Sequence, residues 1–181
     1  TLTSGPVNAY PEVLQGLGRP VLYDYDPAFQ AFYERVVEKA QTAMRLSNRP
    51  VIQQGEPVLG LEAAAASLIT PDDTVLNLAS GVYGKGFGFW ALRYSPNLLE
   101  IEVPYNEAIS PDAVAEMFRK HPEITVVSAC HHDTPSGTIN PIDEIGAIVA
   151  AHGAYLIVDA VSSFGGMDVH PDACHADLFV S

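Results

Sequence analysis

Cysteine, basic residues and long apolar runs are all scarce in this sequence, and each scarcity removes a class of protein. Only two of the 181 residues are cysteine, Cys130 and Cys174. Two thiols without C-x-x-C spacing build no disulfide framework and fit a reducing compartment, so a cytoplasmic protein is expected. Nine Lys and Arg stand against 22 Asp and Glu, a formal net charge of -13. Nucleic acid or an anionic membrane would be repelled unless cations clustered locally. They do not cluster: the one adjacent pair, Arg119 and Lys120, reads as a solvated helix end. The apolar runs are too short and too interrupted to cross a bilayer, and no basic segment leads into an apolar one at the start. A soluble protein with neither nucleic-acid nor membrane partners is expected. The 48% hydrophobic content is enough for one globular core.

Residues 1–20 are rich in Gly, Pro and small residues and predict an irregular arm. Over 26–46 the spacing of Phe29, Phe32, Val36, Val37, Ala40, Ala43 and Met44 predicts an amphipathic helix. From there, apolar runs that suit buried strands (50–54, 74–78, 98–103, 125–130, 155–159, and a start at 178) alternate with helical patterns (60–69, 86–94, 111–120, 142–152). That order predicts an α/β domain with a mainly parallel sheet covered on both faces. The division expected is an arm over 1–25 and a large domain over 26–181, incomplete at its C-terminal end. Ligands of such sheets sit beyond the carboxyl ends of the strands, where loops and helix N-termini converge.

Three segments there could carry chemistry. The strand 155–159 ends in Asp159, followed by Ala160-Val161-Ser162-Ser163-Phe164-Gly165-Gly166. An acid in that place can cap a loop, or it can sit beside a pyridine nitrogen and keep the ring protonated as an electron acceptor. A second strand runs into His131-His132-Asp133-Thr134-Pro135-Ser136-Gly137-Thr138-Ile139-Asn140-Pro141, a loop crowded with turn formers and hydroxyls. In the third, Ser80-Gly81-Val82-Tyr83-Gly84-Lys85-Gly86-Phe87-Gly88, an aromatic near a helix start can stack on a flat ligand or join the core. The glycines at 84, 86 and 88 have the wrong spacing for a dinucleotide fingerprint, and Lys85 is not followed by Ser or Thr, so no nucleotide P-loop is present. His131, His132, Asp133, His170, Cys174 and His175 match no closed zinc pattern, and no metal is expected.

Together, Asp133 to Pro141 and Val158 to Gly166 resemble class V aminotransferases of the alanine–glyoxylate and serine–pyruvate type. Thr3-Ser4-Gly5-Pro6, Pro11-Glu12-Val13 and the segment 55–64 fall in the same order as in that family, so the resemblance covers nearly the whole chain. Residues 21–29, 55–60 and 82–88 look closest to members that use a free B6 vitamer as a substrate. The resemblance implies a three-layer α/β/α fold of the type I pyridoxal-phosphate-dependent transferases, and a homodimer or homotetramer. It also assigns site residues: Asp159 pairs with the pyridine nitrogen, Tyr83 stacks on the ring, and Thr134 bonds near the ring hydroxyl. Tyr23 would lie toward the acceptor substrate, although Tyr23-Asp24-Tyr25 also reads as a packed loop.

Glu56 is the most informative residue. In ordinary members of the family the turn before this helix receives the cofactor phosphate on free N–H groups and the positive end of the helix dipole. Here the turn carries a carboxylate, and Pro57 removes one N–H donor. A phosphate would be repelled there, whereas a neutral 5'-hydroxymethyl group could donate a charge-assisted hydrogen bond to Glu56. The competing reading is a helix-terminal acid favoured by the dipole. With Glu56 in that place, the resemblance implies the reaction pyridoxamine plus pyruvate giving pyridoxal plus L-alanine, with the vitamer as substrate and no tightly bound cofactor. The alternatives are a class V aminotransferase that retains pyridoxal phosphate, and a noncatalytic vitamer-binding protein. The family's Schiff-base lysine and its carboxylate-binding arginine are expected beyond Ser181.

Overall fold

The structure, a computed structural model, describes residues 7–181, so the segment Thr3-Ser4-Gly5-Pro6 lies outside the described residues. The arm differs from the expected irregular course in holding one short helix, α1 (Pro11–Leu17). Pro11 at its first position presets φ, and Glu12 faces the positive end of the dipole. No residue of α1 is buried. Helix α2 (Pro27–Met44) begins where the Asp26 carboxylate accepts the Ala28 N–H at 2.8 Å and stops at Arg45, which takes a left-handed φ of 54°. Residues 50–54, expected as a strand, form none. No strand edge reaches them, and Val51 is left 91% exposed.

Helix α3 (Pro57–Leu68) leads to β1 (Thr74–Ala79), α4 (Gly81–Tyr94), β2 (Leu98–Glu102), α5 (Pro111–Lys120) and β3 (Ile124–Cys130). A two-residue antiparallel hairpin, β4 (His132–Asp133) with β5 (Thr138–Ile139), follows; the sequence pattern did not reveal it. Then come α6 (Ile142–Ala151), β6 (Tyr155–Asp159) and β7 (Leu178–Val180). Helices α3 and α4 start earlier than expected, α3 because Pro57 takes its first position and α4 because the Asp133 carboxylate accepts the Tyr83 N–H of its first turn at 2.7 Å. Among the described residues no helix is long and apolar enough to cross a membrane.

The five longer strands pair in parallel in the order β2-β1-β3-β6-β7. Alternation along each strand splits the core into two layers. Leu76, Leu78, Val127, Leu156 and Val158 face Val114 and Phe118 of α5 and Ile145 and Val149 of α6. Val75, Val126 and Ile157 face Ala64 and Ala65 of α3 and Phe87 and Ala91 of α4. The result is the expected three-layer α/β/α arrangement. Gly146 lets α6 approach the chain near Cys174: a Cβ there would stand 1.8 Å from the Cys174 carbonyl oxygen.

Beneath α4 the apolar layer is interrupted by a file of polar groups across three strands. Ser128 Oγ donates to Asn77 Oδ1 at 2.7 Å, and Asn77 Nδ2 donates to Glu100 Oε1 at 2.9 Å. Asn77 is fully buried and sits opposite both partners in the sheet. A buried amide satisfied on both sides avoids the cost of lone burial.

Candidate active site

Parallel pairing brings Ala79, Cys130, Asp159 and Val180 to one edge of the sheet. Asp159 is the last residue of β6, half-buried, with its backbone carbonyl taken by the His131 N–H at 2.8 Å and its carboxylate accepting the Val161 N–H at 3.1 Å. Burial pushes its pKa up, the charge of Asp133 adds to that, and the Val161 and Cys130 hydrogen bonds pull the other way. No ion pair relieves it among the described residues. A carboxylate left without a cation at the mouth of a strand is suited to hold a protonated ring nitrogen.

Asp159 shares a cleft with Tyr83, Leu61, Gly84, Phe87 and Cys130. Tyr83 lies in the first turn of α4 and is 56% exposed. Its backbone N–H is tied to Asp133 at 2.7 Å, and Thr134, half-buried, is the next residue along from Asp133. The geometry thus gathers Tyr83 and Asp159 at one strand-end cleft and ties the first turn of α4 to the loop that carries Thr134.

Glu56 is the N-cap of α3, exposed, and its side chain makes no capping bond. The α3 start lies at the same edge of the sheet, since a Cβ on Gly60 would approach Val180 Cγ1 to 2.9 Å and Leu61 lines the cleft. Tyr23 is not brought into the cleft. It is 68% exposed and its ring meets that of Tyr25 at 5.6 Å between centroids.

Two groups at the site were not singled out from sequence. Asp133, fully buried, binds the first turn of α4; Cys130, beside Asp159 in the β3–β6 pairing, has its thiol pushed far above the ordinary range by burial, with the Asp159 and Asp133 charges adding. Their sequence signals were weak, a turn-forming acid and a strand-terminal thiol. His132 and Ser162 also link the two loops, with Ser162 Oγ donating to the His132 carbonyl at 2.6 Å. Among the described residues no three His, Cys, Asp or Glu side chains are grouped to hold a metal.

Residues 64–181 match the model of the aminotransferase class-V family. The chain belongs to the class-V aminotransferases. It is 81% identical to pyridoxamine–pyruvate transaminase of Mesorhizobium japonicum over all 181 residues, which make up 46% of that relative. It is 33% identical to (S)-ureidoglycine–glyoxylate transaminase of Bacillus subtilis over 99% of this chain and 43% of the relative. The crystal structure of pyridoxamine–pyruvate aminotransferase from Mesorhizobium loti superposes with a TM-score of 0.96 over 98% of this chain and 45% of that one. That of alanine–glyoxylate aminotransferase from Nostoc sp., 28% identical, reaches 0.91 over 97% of this chain and 47% of that one. This class-V chain therefore spans about half the length of the relatives it matches.

Proposed function

We propose that the whole protein transfers the amino group of pyridoxamine to pyruvate, giving pyridoxal and L-alanine, and that the B6 vitamer is a substrate that leaves after each half-reaction. Glu56 carries the reading. Among the described residues its carboxylate makes no capping bond at the start of α3, where Pro57 supplies no N–H. That corner suits the hydroxyl of an unphosphorylated vitamer and repels a phosphate. The 81% identity to a pyridoxamine–pyruvate transaminase supports the same substrate.

When bound, the vitamer ring supplies an electron sink. Asp159 holds its nitrogen protonated, Tyr83 stacks on its face, and Thr134 meets the ring hydroxyl. Glu56 accepts a hydrogen bond from the 5'-hydroxyl, and Tyr23 serves the acceptor side. Of the lysines here, Lys85 pairs with Glu102, Lys120 lies 3.4 Å from Glu116, and Lys39 sits on α2. We assign the amine that moves the substrate proton, and the arginine that binds the pyruvate carboxylate, to the other half of the protein. We further propose the arm over 1–25 and the large domain over 26–181, a cytoplasmic location, and a place in vitamin B6 degradation. By the family resemblance we also propose a homodimer or homotetramer.

Full-length protein given pyridoxamine and pyruvate should form pyridoxal and alanine in equal amounts without added pyridoxal phosphate, and should lose any yellow colour on dialysis. Retention of a phosphorylated chromophore through dialysis would overturn the proposal in favour of a cofactor-retaining aminotransferase.

A further inference from the structure

Asp133 is fully buried, yet no cation pairs with it among the described residues. Its oxygens are met by backbone donors instead. Oδ2 accepts the Tyr83 N–H at 2.7 Å, Oδ1 accepts the Ser136 N–H at 3.0 Å, and its carbonyl accepts the Gly137 N–H at 2.8 Å. The Tyr83 N–H belongs to the first turn of α4, whose donors have no partner within the helix, and the carboxylate sits at the positive end of the dipole. Gly81 makes the approach possible, because a Cβ there would stand 2.2–2.6 Å from the carboxylate atoms. One side chain thus binds the turn that carries Tyr83 to the hairpin that carries Thr134.

We propose that Asp133 is a positioning residue that fixes the gap between Tyr83 and Thr134 before the vitamer arrives, so that the ring enters a preformed clamp. The proposal rests on the reading of those two residues as ring contacts. Asp133→Asn keeps the shape but places an amide N–H₂ against one of two backbone donors, leaving one of them unmatched. In the full-length enzyme it should raise KM for pyridoxamine about ten- to a hundredfold. KM for pyruvate should stay within about twofold, because the acceptor is not held by this clamp. The induced circular dichroism of bound pyridoxal should weaken. In the ligand-free wild type the Tyr83 amide should exchange slowly with solvent, unlike an ordinary helix-start N–H. A folded Asn variant with unchanged KM for pyridoxamine and unchanged dichroism would overturn the proposal. So would a wild-type Tyr83 amide that exchanges at the rate of an open helix end, which decides the matter if the variant does not fold. Both pyridoxal and pyridoxal phosphate are titrated, since the clamp acts on the ring whatever the 5' group. A wild type that prefers the phosphate would refute the substrate reading and leave the comparison at Asp133 intact.

Discussion

Replacing Glu56 by Gly in the full-length enzyme should invert its preference between pyridoxal and pyridoxal phosphate. The side chain is exposed and caps nothing, so the fold should barely register its loss, and Gly is a serviceable N-cap within a few tenths of a kcal/mol. A phosphate seated at the first turn of α3 would come within a few ångström of the carboxylate. At ~4 Å and an effective dielectric near 20, one pair of like unit charges repels by about 4 kcal/mol. Exposure and salt reduce this, leaving about 1.5–3 kcal/mol, or a roughly ten- to hundredfold gain in pyridoxal phosphate affinity. Pyridoxal loses a charge-assisted hydrogen bond of about 1.5–3 kcal/mol and should bind correspondingly more weakly. The ratio of the two dissociation constants should therefore move by a factor of about 10² to 10⁴. Absorbance titration at fixed ionic strength measures both constants, and repetition at high salt should shrink the phosphate part alone. Glu56→Gln, which keeps an acceptor without the charge, should reproduce the gain for phosphate while retaining more of the pyridoxal affinity. A ratio that moves by less than about threefold, or a gain indifferent to salt, would refute the electrostatic reasoning.

Asp159→Asn should lower kcat at least about a hundredfold in the full-length enzyme, and near-normal turnover would remove Asp159 from the site. Because burial and then the Asp133 charge raise the folded-state pKa of Asp159, its ionised form penalises the ligand-free fold. That penalty is absent below the ordinary carboxylate pKa and fully present above the raised one. The ligand-free Asn variant should thus melt at or above the wild-type temperature at pH 7, with the difference shrinking as pH falls; a lower melting temperature at pH 7 would contradict this. Gly146→Ala should cost about 3 kcal/mol in urea denaturation, since the new methyl group meets the Cys174 carbonyl with no room to move, and an unchanged midpoint would show that α6 can shift. Burial raises the thiol pKa of Cys130 well above the ordinary range and that of Cys174 to about 11, so neither position should alkylate in the native protein at pH 8. Mass spectrometry after brief labelling would expose an error if either were modified before denaturation.

Much of the fold could be read from residue patterns because local and tertiary signals agree there. Helix α5 matches its expected bounds because Pro111 opens it and Val114 and Phe118, one turn apart, face the core. Strand β6 matches because an apolar run with both faces covered ends at a charged residue. The stretch 50–54 misled because β-branched residues favour a strand only where a neighbour offers hydrogen bonds, and none does. The glycines at 84, 86 and 88 hid the true start of α4, which depends on a carboxylate fifty residues away. The same distinction holds at the cleft. Asp159 and Tyr83 were legible as strand-end and helix-start residues, whereas the roles of Asp133 and Cys130 arise only from what the fold sets beside them.

The line of polar side chains under α4 bears on how the sheet is assembled. Sliding β1 by two residues along β3 would keep each apolar side chain on its own layer, so hydrophobic burial alone scarcely distinguishes the two threadings. It would, however, set Asn77 against Val126 or Cys130 and take the Ser128 hydroxyl away from its Oδ1, at a cost of about 1–3 kcal/mol for each group left unmatched. A single amide at the centre of the domain thus acts as a proofreading device, rejecting near-miss alignments that greasy contacts would accept.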